Sequence, residues 1–292
     1  MISLRIYLKK GSDIIFYIIE NKNIIKRIFK CFTIKDDVII IYGTKNIYKK
    51  LNKFLKNTNA VAISNELINN DNFKNELFKM NIDILDGRYL FKFLLLDVLD
   101  YIIKANNSKF EDMELSILAN YADDILENNI IEIAEKCKLL NIVTNNPEKF
   151  NNISEKLRDN NGIMIHISKN KRKGLIKSGI IINYDFPQEL FNKCKINNKA
   201  VIINLKEKID ILSKSFSGIN VNYYKINEQQ GNLLQYFSDE IIYESKIYGF
   251  NDFYEIRKKM KKDGIKIKNL IGVKGIINVK EFGQNVLTKL EY

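Results

Sequence analysis

Short β-branched runs alternate with segments of helical spacing along most of this chain, and that alternation constrains its fold more than any other feature. Such a pattern builds βα units around a largely parallel sheet. It is clearest in the middle. Glu114–Ala119 (ELSILA), Asn141–Thr144 (NIVT), Ile163–Ile167 (IMIHI), Ile180–Asn183 (IIIN) and Ala200–Asn204 (AVIIN) read as five strands. Asp123 or Asp124 can cap a helix running to about Lys138. Asn146 followed by Pro147 reads as an N-cap with proline at the first helical position, opening a helix to about Asp159 that Asn161-Gly162 stops. A basic segment, Lys169–Lys177, precedes the fourth strand, and Pro187 starts a brief helix. Five strands with helices between them predict a doubly wound sheet.

The flanks follow the same logic less regularly. Ile2–Leu8 and Ile14–Glu20 read as strands about the turn Lys10–Asp13. Val38–Tyr42, Ala60–Ser64 and Ile82–Leu85 read as strands, and Lys45–Lys56 and Asn72–Met80 as helices. The segment from Arg88 to about Lys104 has helical spacing and apolar residues on nearly every face, so it should be buried. Past Leu205, Ile219–Ile226 reads as a strand. Gly231 to about Ile247 and Asp252–Lys262 read as helices, and Ile265–Val279 as a small β element with glycines at 272 and 275. With a boundary at Asn106-Asn107-Ser108, the expected organisation is an N-terminal α/β domain over 1–108 and a doubly wound domain over 109–205. A C-terminal α+β segment over 206–292 packs back on both.

Composition narrows the chemistry. The chain has 292 residues, 46% of them hydrophobic, enough for more than one core. Its two prolines, Pro147 and Pro187, exclude a Pro-rich linker. Cys31, Cys137 and Cys194 stand far apart with no CxxC, which argues against a disulfide framework or a cysteine zinc site. His166 is the single histidine, so His-rich metal sites and a HExxH helix are out. No uninterrupted apolar run approaches the length of a membrane span, and Met1–Lys10 lacks the features of a signal peptide. A soluble cytoplasmic protein with no metal and no membrane contact is expected.

The net charge of +12 points toward nucleic acid, but its make-up does not. Arginine, the preferred residue for bidentate phosphate and guanine contacts, supplies six of 47 basic residues. The excess is diffuse, at +7, +1 and +4 over 1–108, 109–205 and 206–292. The densest run, Arg257–Lys262, reads as the solvated face and end of a helix.

In an open α/β sheet the ligand crevice lies beyond the carboxyl ends of the strands, near the point where strand order reverses. That rule selects Asn120, Tyr121 and Asp123 after the first middle strand, and Asn145 and Asn146 after the second. It adds Asn183, Tyr184 and Asp185 after the fourth strand and Asn204 after the fifth. An asparagine at such a place hydrogen-bonds a ribose or an amide of a ligand, or caps the turn that follows.

The run Asn141–Phe150 (NIVTNNPEKF), continuing as Ile153-Ser154-Glu155-Lys156-Leu157, resembles the second strand and helix of the nucleotide-binding domain in the shikimate dehydrogenase and glutamyl-tRNA reductase families. There a strand ends in an Asn-Arg-Thr-type turn and continues as Pro-Glu-Lys-Ala. The run Ser178–Asn183 (SGIIIN) is similar to their later Asp-Ile-Val-Ile-Asn strand beside the cofactor. The resemblance covers roughly residues 112–205 and many proteins of this fold share its motifs. It implies a Rossmann-like α/β fold with NAD or NADP at the strand ends. Asn120, Tyr121, Asn145, Asn146, Asn183 and Asn204 are then the candidate cofactor contacts.

The departures are specific. The turn after the first strand, Ala119–Asp124, has no glycine, although the dinucleotide motif uses glycine to bring backbone amides to the pyrophosphate. It carries two aspartates, which repel a phosphate unless a cation intervenes. The arginine of the second turn is replaced by Asn145 or Asn146. The Asn-Val-Thr-x-Pro-x-Lys motif of the dehydrogenases is absent, because no proline precedes Pro147. Cys31 lacks the surroundings of the reductases' catalytic cysteine, and no catalytic residue is assignable.

Three further features carry chemistry or its ordinary alternative. Tyr42-Gly43-Thr44-Lys45 could offer amides and Thr44 to an anion, or be a tight turn. Arg88, after Asp86-Gly87, could bind a carboxylate or phosphate in an interdomain cleft, or pair with Asp86 or cap a helix. The Asp123-Asp124 pair could hold a divalent ion or complement a helix dipole. His166 in an apolar strand reads as a core histidine, and Cys137 and Cys194 as packing residues.

The expectation is a Rossmann-like protein that has lost dinucleotide-dependent catalysis. It would serve as a ligand-binding or regulatory module for a small molecule or protein in the interdomain cleft. One alternative is an active NAD(P)-dependent oxidoreductase with a glycine-free phosphate loop, using Arg88, Asn120 and Asn183. The other is a lysine-rich nucleic-acid-binding protein.

Overall fold

A computed structural model describes residues 60–63, 71–227, 237–250 and 252–284, with the strand backbones at 3–9, 13–18, 32–35 and 38–41. Thr44, Cys31 and the helical segment Lys45–Lys56 lie outside the described residues. The chain forms two compact units, Met1–Leu90 with Glu228–Asn251, and Phe91–Asn227 with Asp252–Tyr292. Among the described residues no helix is long and apolar enough to cross a membrane.

The first unit is built on a six-stranded sheet. Strands β1 (Ser3–Lys9), β2 (Asp13–Ile18), β3 (Phe32–Lys35) and β4 (Val38–Ile41) pair antiparallel. Strands β5 (Ala60–Ile63) and β6 (Asp83–Leu85) run parallel to β1, in the order β3-β4-β2-β1-β5-β6. The sequence pattern does not announce β3. It is a four-residue edge strand with alternating polar residues, too short for a period-2 signal. Helix α1 (Asp71–Lys79) leads from β5 to β6.

The segment from Arg88 onward is not one helix. It divides at Leu94 into α2 (Arg88–Phe93) and α3 (Leu95–Ala105). Its apolar residues are buried all round, from Leu90 and Phe91 through Leu99 and Ile103, as the pattern requires.

The second unit contains an all-parallel six-stranded sheet. Its strands are β7 (Glu114–Leu118), β8 (Leu139–Val143), β9 (His166–Ser168), β10 (Ile180–Asn183), β11 (Val201–Asn204) and β12 (Ile219–Val221). Their order is β12-β11-β10-β7-β8-β9, and every pair is parallel. Counted by appearance, that is the dinucleotide-fold order 3-2-1-4-5-6, with its switch point between β7 and β10. β10 and β11 are buried at all four positions. Central parallel strands are covered on both faces and so read as unbroken apolar runs.

The helices follow their end signals in part. Asp123 caps α4 (Asp124–Ala134), accepting the Leu126 N–H at 2.8 Å. Pro147 opens a 3-10 turn over Pro147–Phe150 that continues as α5 (Asn151–Asn161). Asn146 makes no side-chain cap, and its Nδ2 donates to Asn120 O, as described below. Gly162 ends α5 at φ 66°. There Gly162 N–H meets Arg158 O at 3.0 Å, and Ile163 N–H meets Leu157 O at 3.1 Å. A Cβ on Gly162 would meet nothing within 4 Å, so only the left-handed backbone opposes a side chain. Gly162→Ala should therefore cost about 1 kcal/mol. Urea unfolding checks this, with a lower midpoint and an unchanged slope. The short helices α6 (Lys173–Ile176) and α7 (Gln188–Phe191) precede and follow β10.

Two strand expectations are corrected. The third strand is β9 at 166–168, and His166 is an exposed residue on the sheet's edge, not a core histidine. The expected single strand Ile219–Ile226 is two strands in two sheets, β12 and β13 (Tyr223–Ile226). Buried Asn222 makes the break. Its N–H goes to Ile271 O in the next sheet at 2.8 Å, while its Oδ1 accepts from Asn204 of β11 and from Ile209 in the loop that follows β11. β13 then pairs antiparallel with β14 (Ile267–Gly272), which turns through Val273-Lys274 into β15 (Gly275–Ile276). The remaining helices are α8 (Asp239–Ile247) in the first unit, and α9 (Phe253–Lys262) and α10 (Val279–Gln284) in the second.

Candidate functional site

The carboxyl ends of β7, β8 and β10 gather one polar constellation in the second unit, at the switch point of the sheet. It is organised by Asp185, two residues past β10. The Asp185 carboxylate accepts the Asn120 N–H on both oxygens at 2.9 Å and the Tyr121 N–H at 3.0 Å. Those two amides belong to the turn between β7 and α4, the turn that presents amides to a pyrophosphate in glycine-rich relatives of this fold. Burial pushes the Asp185 carboxyl above its usual range. The Asn120 and Tyr121 amides and the charges of Lys206 and Lys92 pull it back down.

A second carboxylate occupies the start of α4. Asp123 accepts the Leu126 N–H on Oδ1, receives the Tyr184 hydroxyl on the same oxygen at 2.5 Å, and takes the Lys92 ammonium on Oδ2 at 3.1 Å. Lys92 also lies over the Tyr184 ring, 4.3 Å from its centroid. The helix-cap reading of Asp123 is the one the structure realises. Among the described residues no group of three metal-ligating side chains is present.

Asn120, Asn145 and Asn146 are brought together. Asn120 Oδ1 accepts the Asn145 N–H at 3.0 Å, and Asn146 Nδ2 donates to Asn120 O at 3.3 Å. Asn146 N–H is held by Thr144 Oγ1 at 3.0 Å. The Tyr121 ring is 63% exposed, with the Lys149 ammonium over it at 4.3 Å. It is the most accessible aromatic side chain of the constellation.

Asn183 and Asn204 stand in a different arrangement, a buried amide ladder across the ends of β10, β11 and β12. Asn183 Nδ2 donates to Phe186 O at 3.0 Å and to Asn204 Oδ1 at 3.2 Å, while Asn183 Oδ1 accepts the Phe186 N–H. Asn204 Nδ2 reaches Asn220 Oδ1 at 2.7 Å, Asn222 Oδ1 at 3.0 Å and Val221 O at 3.2 Å. Both side chains spend their hydrogen-bonding groups on the protein itself, as buried polar groups generally do.

In the first unit, Arg88 opens α2 and its N–H donates to Asp86 Oδ1 at 3.2 Å. Beside it, fully buried Glu244 of α8 accepts the Leu90 N–H at 2.9 Å on Oε2, while Oε1 has no hydrogen-bond partner. Burial and then the neighbouring Asp86 carboxylate push the Glu244 carboxyl up to about 8, against the Leu90, Gly87 and Tyr89 amides. Asp86 is itself raised by burial, opposed by Arg88 and Lys74. Cys137 and Cys194 are half-buried, and burial pushes both thiols up to about 11, well away from reactive thiolates.

The residues that sequence reasoning underweighted are Asp185, Lys92 and Glu244. Asp185 carried a signal, since it follows a strand end within the crevice rule. Lys92 and Glu244 carried none, because their partners are distant in sequence.

No protein-family model matches this chain, and no curated protein matches it. Its structure is similar to solved structures at low identity. One is a mitochondrial ornithine carbamoyltransferase from Coccidioides immitis, 9% identical, with a TM-score of 0.30 over 59% of this chain and 63% of that one. Another is L-tryptophan dehydrogenase from Nostoc punctiforme, 10% identical, with a TM-score of 0.31 over 79% of this chain and 70% of that one. The chain thus spans less than two thirds of the carbamoyltransferase. Likenesses this slight carry no functional argument. The strand order of the second unit makes the fold Rossmann-like.

Proposed function

We propose that this chain is a Rossmann-like binding or regulatory module that does not use a dinucleotide. The observation that carries this reading is the placement of the Asp185 carboxylate on the Asn120 and Tyr121 amides. A pyrophosphate in this fold needs those amides and the start of the following helix. Here one carboxylate occupies the first and Asp123 caps the second. The residues present therefore do not fit NAD or NADP in the ordinary pose. The fixed Asp185 carboxylate on those amides opposes an incoming dianion.

The resemblance of Asn141–Leu157 and Ser178–Asn183 to the shikimate dehydrogenase and glutamyl-tRNA reductase families supports descent from a dinucleotide-binding domain. The glycine-free turn supports loss of its chemistry. What the crevice still offers is a solvent-facing Tyr121 ring, suited to a small ligand without a phosphate or to a protein segment. Isothermal titration with NADH and NADPH, at low and moderate salt, tests the reading. No heat is expected, and no change of melting temperature at millimolar cofactor. Saturable micromolar binding that tolerates salt would restore the oxidoreductase alternative. Binding that collapses with salt would instead indicate diffuse lysine electrostatics.

A further inference from the structure

We propose that Asp185 is the chain's own ligand for an oxyanion seat at the switch point, and that this one side chain makes the crevice refuse free phosphate and carboxylate groups. The inference rests on the reading above and deepens it, by naming the residue that sets the selectivity.

The geometry of the seat is the first argument. Two successive main-chain amides, Asn120 and Tyr121, converge on one carboxylate with N···O distances of 2.9, 2.9 and 3.0 Å. Successive amides that point to one place form a concavity that binds an oxyanion. The second argument is the origin of the carboxylate. It comes from 65 residues away in sequence, so it is not the local side-chain turn that an Asp makes with its own neighbours. Tertiary structure delivers an anion to amides that are already aligned.

The third argument is charge. Lys206 and Lys92 both act on the Asp185 carboxylate. Without Asp185, the two amides would face an open place within the field of Lys206 and Lys92. The opposing charge is Asp123, which is already paired with Lys92 at 3.1 Å. A tethered carboxylate outcompetes a dissolved one, because folding has already met the entropy cost of placing it. The wild-type chain therefore refuses oxyanions even though the groups that bind them are present.

The test uses the whole chain with Asp185→Ala and Asp185→Asn, titrated with sodium pyrophosphate and sodium formate by calorimetry and thermal melts. Formate replaces the deleted carboxylate, and pyrophosphate reports whether the seat takes phosphate. The wild type should give no saturable heat with either. Asp185→Ala should bind pyrophosphate at least about tenfold more tightly than the wild type, as expected when charge-assisted hydrogen bonds become available to a free anion. Its melting temperature should rise saturably with formate. Asp185→Asn keeps an oxygen for the two amides and should refuse both anions.

A folded Asp185→Ala that binds neither anion overturns the proposal, as does a wild type that binds pyrophosphate as well as the variant does. If Asp185→Ala does not fold alone, refolding in formate should rescue it, and failure of both formate and pyrophosphate to do so counts against the seat. These outcomes are separable from the cofactor test. NADH binding by the wild type would sink the proposed function, whereas an anion-blind Asp185→Ala sinks the seat alone.

Discussion

Glu244→Gln should make the protein markedly more stable than the wild type at pH 8 and nearly equal to it near pH 4. Glu244 is wholly buried, and burial with the adjacent Asp86 charge raises its carboxyl from 4.5 in the unfolded chain to about 8. In the window between those values the folded chain holds a proton that the unfolded chain has released. The stability supplied by the neutral carboxyl is therefore fully present below about 4.5 and is lost as pH rises through about 8. The loss runs at about 1.4 kcal/mol per pH unit, so the difference at pH 8 amounts to several kcal/mol.

Glutamine reproduces the neutral acid, with an oxygen for the Leu90 N–H and no proton to lose. Urea unfolding of both proteins from pH 4 to 9 measures the difference. Parallel pH profiles would show that Glu244 does not titrate in that window. Asp86→Asn removes the charge that raises Glu244 and should move the window to lower pH. Glu244→Ala is a contrasting control, since it leaves the Leu90 amide unsatisfied and a cavity behind, and should destabilise near pH 4, where the wild type keeps its neutral carboxyl.

The second large effect is expected at Asn204. Asn204→Leu keeps the volume and removes an amide that meets Asn183, Asn220, Asn222 and Val221. Asn220 Oδ1 loses its Asn204 donor, and Asn183 Nδ2 and Asn222 Oδ1 each lose one of their partners. Each unsatisfied buried group costs about 1–3 kcal/mol, so a total near 3 kcal/mol is expected. The ladder already holds one unpaired atom, Asn222 Nδ2, which leaves little room for another. A lower urea midpoint with unchanged slope is the predicted readout. A variant as stable as the wild type would show that the ladder is not structural, and Asn204 would regain its place among the candidate ligand contacts.

Features whose cause is local were legible in the residues alone. Unbroken apolar runs at Ile180–Ile182 and Val201–Ile203 specified buried parallel strands, because both faces of a central strand are covered. Asp123 before α4 and Gly162 after α5 specified helix ends, because a carboxylate satisfies early amides and glycine accepts a left-handed backbone. The missing glycines of the β7 turn were visible too, and with them the doubt over a dinucleotide.

Tertiary structure decided what depends on partners far apart in the chain. The helix pattern beginning at Arg88 could not reveal its interruption at Leu94, because apolar spacing continues unbroken across it. The pattern Ile219–Ile226 could not reveal a change of sheet, because the break lies in hydrogen bonds from Asn222 to Asn204, Ile209 and Ile271. The carboxylate on the Asn120 and Tyr121 amides arrives from 65 positions away. The carboxyl of Glu244 meets Leu90 across 154. Burial and distant charge set the energies of such groups. Neither exists until the chain has folded.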